Sequence, residues 1–126
     1  MNRSELVRWL VLNEISDDYE NVDQTILRHV NEAGAEYGLI IERSEVVDSL
    51  AKLIVDGLAK AYLLSSTEPH STEIRGVPSL DVIEENFQTY FYITKEGMGA
   101  KRLMDNLYSP PTDDLACDPN SNPDPS

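Results

Sequence analysis

Tyr90-Phe91-Tyr92-Ile93-Thr94-Lys95-Glu96-Gly97 is an aromatic run that ends on a threonine and passes into residues 98–107. Its first four residues suit a short strand. Thr94 suits the N-cap of a helix over 95–107, because a threonine hydroxyl can accept from an amide of the first turn. Upstream, Leu53-Ile54-Val55-Asp56-Gly57-Leu58 closes an amphipathic helix on a glycine placed for the position after the C-cap. The next residues, 59–64, read as a second strand. The order is therefore helix, glycine turn, strand, long connection, strand, threonine cap, helix.

Working outward, the upstream helix is expected over 44–56. Ser44 serves as its N-cap and Glu45 places a carboxylate in its first turn. Val46, Val47, Leu50, Leu53 and Ile54 repeat at helical spacing and predict its buried stripe. A first helix is expected over 2–13, where Asn2 and Glu5 have capping-box spacing and Leu6, Trp9 and Leu10 share a face. A second is expected over 21–33, with Asn21 and Gln24 at the same spacing and Val22, Ile26, Val30 and Ala33 on one stripe; Gly34 and Gly38 end it. Residues 65–88 are too many for a bare hairpin loop. Pro69, Gly76 and Pro78 punctuate them, and 80–87 has the pattern of two helical turns with Ser79 as cap. Residues 109–126 hold Pro-Pro, Asp113-Asp114 and no base, the composition of a disordered acidic, proline-rich tail. One folded domain over 1–108 is expected.

These elements, chiefly 50–58 and 92–97, resemble the winged helix-turn-helix fold of small bacterial transcription regulators such as the MarR, PadR and ArsR-like groups. The resemblance implies a mostly α single domain with a small, two-stranded antiparallel β-wing. It makes 44–56 the recognition helix, with Ser44, Glu45, Asp48, Ser49 and Lys52 toward a partner. It gives Lys60, His70 and Arg75 to the wing, and 65–88 to a wing insertion. It also implies self-association through a terminal helix, which points to Trp9, Leu6 and Leu10.

Charge cuts across a DNA-binding role. The 126 residues carry 23 acids and 10 bases, a net charge of −13. Such a chain repels polyanions, whereas DNA affinity rests on Lys and Arg neutralising phosphates. Around the recognition helix, Arg43 and Lys52 stand against Glu45, Asp48 and Asp56. The expectation is a non-enzymatic module that binds a protein partner or itself. The alternative is a DNA-binding regulator that reads bases from the 44–56 helix.

Catalytic and cofactor motifs are not visible. His29 and His70 lack ligand spacing, so no metal site is expected. Asp17-Asp18, Glu84-Glu85 and Asp113-Asp114 are adjacent pairs without the separate environments that acid–base work needs. Gly97-Met98-Gly99 lacks a phosphate-loop frame and reads as a closely packed helix start. Cys117 alone allows no internal disulfide. Apolar runs such as Leu10-Val11-Leu12 are too short for a membrane span, and Glu5 and Asn13-Glu14 interrupt any signal-peptide pattern. A cytoplasmic protein without membrane association is expected.

Overall fold

The computed structural model describes residues 2–80 and 89–108. They form four α-helices and a small antiparallel sheet. The elements are α1 (Arg3–Glu14), α2 (Leu27–Gly34), α3 (Arg43–Val55), β1 (Ala59–Leu64), β2 (Ser71–Ile74), β3 (Thr89–Ile93) and α4 (Lys95–Tyr108).

α1 starts on the expected capping box: the Glu5 amide donates to Asn2 Oδ1 at 2.8 Å, and the Asn2 amide to Glu5 Oε1 at 3.3 Å. The second helix begins as a π-helical turn, Val22–Ile26, before α2. Asn21 Oδ1 accepts there from the Gln24 amide at 3.0 Å, while its Nδ2 donates to the Thr89 carbonyl at 3.1 Å. One buried side chain thus caps a helix and fastens it to β3. Between α2 and α3, Asn31 clamps the chain through two bonds with the Ile41 backbone, at 2.8 and 2.9 Å.

The N-cap of α3 lies two residues earlier than expected. It is Glu42, not Ser44, and Glu45 Oε1 accepts from the Glu42 amide at 2.9 Å. The serine signal was overridden because Glu42 and Glu45 already supply the three-residue spacing. Gly57, at φ +78°, closes α3 as expected: its amide bonds Ile54 O at 3.0 Å, and the Leu58 amide reaches back to Leu53 O at 2.8 Å. A residue with a side chain is strained in that backbone conformation.

The sheet has three strands, in the order β2-β1-β3, rather than the two expected. β1 pairs with β3, Ala61 opposite Phe91 and Tyr62 opposite Tyr90. The third strand, β2, lies inside the long connection and pairs with the far edge of β1. Its pattern is exposed and polar (Ser71-Thr72-Glu73-Ile74), which hides an edge strand from periodicity. Glu20 adds a one-residue bridge on the free side of β3, exchanging bonds of 3.0 and 2.8 Å with Phe91. The two-turn helix expected at 80–87 and the tail at 109–126 lie outside the described residues, apart from Leu80.

α1 sits at the centre of the fold, touching α2, α3 and α4. Leu6, Val7, Trp9, Leu10, Val11 and Leu12 are all buried, so α1 is covered nearly all round instead of on one face. Phe91 points from β3 into the same core, fully buried. Among the described residues, no helix is long and apolar enough to cross a membrane.

Candidate interaction surface

Trp9, Leu6 and Leu10 are each only 6% exposed in the single chain. Trp9 Nε1 donates to Asp105 Oδ1 at 2.8 Å, which joins α1 to α4. These three residues are interior packing, not a free association surface. Periodicity showed that they are buried but not that the covering comes from the same chain.

The five residues singled out on α3 separate. Ser44, Asp48 and Lys52 are exposed and line its outer face. Ser49 is turned inward, 9% exposed. Glu45 is bound within the fold: Arg3 Nε and Nη2 donate to its two carboxylate oxygens at 2.7 and 3.0 Å. Arg3 also donates to the Ile40 carbonyl. The Arg3 bonds, followed by the bond from the Glu42 amide, hold the Glu45 carboxyl down to about 2. Glu45 therefore ties α1 to the start of α3.

This has a pH consequence. The folded pKa of Glu45 lies below its ordinary value of 4.5, so the unfolded chain binds the extra proton first as pH falls. Its stabilising contribution is complete above about pH 4.5 and is lost as pH drops toward about 2. Glu45→Gln is expected to destabilise the protein at pH 7 but to flatten the stability loss between pH 4.5 and 2, read by urea titration at each pH.

Asp105 behaves similarly. Burial pushes its carboxyl up, but bonds from Trp9 and Lys101 outweigh that and leave it below the usual range.

Two other cations near α3 are also paired. Arg8, on α1, meets Asp56 at 3.0 Å. Arg43 grips Asp23 through two bonds at 2.6 and 3.0 Å and donates to the Leu80 carbonyl at 2.6 Å. On the sheet, Lys60 meets Glu73 at 3.3 Å. Lys101 meets Asp105 at 2.9 Å. Among the described residues, Arg28, Lys52, Arg75, Lys95 and Arg102 have no carboxylate partner. His70 is exposed at the end of the β1–β2 connection, and Arg75 is exposed just after β2.

Two features were not found from sequence. Tyr19, in the loop after α1, packs edge-on against Tyr62 at 5.1 Å and tilted against Tyr92 at 5.0 Å. With Tyr90 they make the outer face of the sheet aromatic, as Lys60↔Tyr92 and Tyr62↔Tyr90 register requires. Burial, then Tyr19 and Glu73, raise the Tyr62 hydroxyl above its ordinary value. The second feature is apolar exposure: Leu103 is 68% and Leu107 74% exposed on α4. Leu103 and Leu107 are four residues apart, a signal that helical spacing could have revealed.

His29 has both ring nitrogens engaged: Nε2 accepts from Arg28 at 3.1 Å, and Nδ1 donates to Glu14. Among the described residues, no group of three or more His, Cys, Asp or Glu is placed to hold a metal. Comparison of the chain with protein-family models, curated proteins and solved structures gives no match.

Proposed function

We propose that the chain is a winged-helix domain serving as a non-enzymatic interaction module, binding protein or itself in place of DNA. The element order, the β1–β3 pairing and the threonine cap on α4 support the frame. The observation that carries the function is the pairing of four cations around α3 and the sheet. Arg3, Arg8, Arg43 and Lys60 surround α3 and the sheet, yet each already holds a carboxylate. Phosphate binding would have to displace those partners, and the net charge of −13 opposes the approach of a polyanion.

A DNA-binding regulator is the second reading, favoured by Lys52, which stands exposed and without a carboxylate partner in the last turn of α3. Fluorescence anisotropy of a labelled mixed-sequence duplex separates the two. Non-specific DNA readers bind with Kd of roughly 10⁻⁴ to 10⁻⁶ M, tightening as salt falls. No change in anisotropy is expected at ~100 μM protein and low salt. Salt-sensitive micromolar binding, weakened by Lys52→Glu, would establish the second reading instead.

A further inference from the structure

We propose that the groove between α1 and α3 docks a basic segment of a partner protein, holding a lysine or arginine side chain between Glu5 and Asp48. This assignment rests on the interaction-module reading and names the chemistry of the partner.

Two cavities, of about 370 and 410 Å³, open along this groove and share Arg8 and Lys52 in their walls. Both fall within the roughly 300–1,000 Å³ of ligand sites. Val7 and Ser49 are the buried residues in the lining of the first. Ser49 is 9% exposed, and its hydroxyl has no hydrogen-bond partner among the described residues. A polar group buried that far ordinarily has one. The partner of Ser49 therefore comes from whatever fills the cavity. The charges of the cavity are unbalanced as well. Glu5 and Asp48 are exposed at its rim, and neither takes part in an ion pair among the described residues. The cations beside them do not serve. Arg3 is bound to Glu45 and Arg8 to Asp56, and Lys52 makes no ion pair with Asp48 although it lies one turn further along α3.

A cation brought by the partner satisfies both carboxylates, while its aliphatic stem lies on Val7. The adjoining backbone of the same segment gives the Ser49 hydroxyl its bond. At the other end of the groove Val55 is 76% exposed beside Ala51, a landing for an apolar residue of that segment. The occupant is a different chain. Residues 109–126 hold no base and cannot supply the cation, and a second copy brings the same net charge of −13 and is repelled. The same charge draws a basic partner in and turns an acidic one away.

Heteronuclear NMR of the backbone amides of the full chain, titrated with the capped peptide Ala-Leu-Lys-Ala-Leu, tests this. The amides of Glu5, Arg8, Asp48 and Ser49 are expected to shift together and to saturate with a Kd of about 1 mM or below. The same peptide with glutamine in place of lysine is expected to bind at least ~tenfold more weakly. Asp48→Asn, at an exposed position, is expected to weaken the lysine peptide at least ~tenfold. Asp17→Asn removes the same charge from the exposed loop after α1 and is expected to change the affinity less than ~twofold. Shifts that do not saturate by ~10 mM peptide overturn the proposal. So does equal weakening by Asp17→Asn and Asp48→Asn, which would reduce the effect to general attraction by an acidic chain. Equal binding of the glutamine peptide, or tighter binding of a glutamate one, overturns the cation. Failure of the wider reading is distinct, since it requires duplex binding.

Discussion

Gly97→Ala is expected to lose at least ~3 kcal/mol of stability, the upper part of the range for inserting a methyl into a packed site. A Cβ on Gly97 would lie 2.1 Å from the Leu58 carbonyl oxygen and 2.6 Å from Ile93 Cγ1. Ile93 can turn aside, but the carbonyl cannot easily do so. Leu58 O accepts from the Thr94 amide at 3.0 Å, and Thr94 Oγ1 donates to Gly57 O at 2.7 Å while accepting from the Gly97 amide at 3.0 Å. The clash therefore falls on the joint where α3, β1, β3 and α4 meet. Gly99→Ala, two residues on, adds a methyl where there is open space and is expected to gain up to ~1 kcal/mol from helix propensity. Urea unfolding at low protein concentration would compare them. A Gly97→Ala loss under ~1 kcal/mol would show that the joint can relax.

Arg43→Met is expected to cost ~2 kcal/mol, somewhat less than breaking a fully buried ion pair, because the Arg43 side chain is 22% exposed. The Asp23 side chain is only 8% exposed and would keep its charge without the two guanidinium bonds. The Leu80 carbonyl would also lose its bond from Arg43. Removing both charges should hurt less than removing one, since the cost lies in a carboxylate that keeps its charge after losing the guanidinium. Asp23→Asn added to Arg43→Met is thus expected to recover at least ~1 kcal/mol relative to Arg43→Met alone. Equal losses in the single and double variants would mean that packing of the arginine stem, not charge, carries the effect.

Local chemistry made much of the architecture legible. Asn2 and Glu5 marked the start of α1, Gly57 the end of α3, and Thr94 the start of α4, because each forms its bonds within a few residues. The helical repeat of Val46, Leu50 and Leu53 gave the buried side of α3. β2 was missed because Ser71, Thr72 and Glu73 face solvent, and an edge strand with no apolar alternation looks like a loop.

The surface was less legible, for a different reason. Arg3 and Glu45 are separated by 42 residues, Arg8 and Asp56 by 48. Sequence gives the number of charges but not which ones neutralise each other. Glu45 and Ser49 lie on the expected helix, yet one is tied to Arg3 and the other turned inward. Likewise, Trp9 read as apolar and available, while its indole is held by Asp105, 96 residues away.

Sedimentation velocity of the full chain mixed with a fluorescent mixed-sequence duplex at low salt puts the central claim to its most direct test. The account predicts that the duplex sediments at its free rate at every protein concentration. Duplex carried along with the protein, and released by added salt, would contradict it.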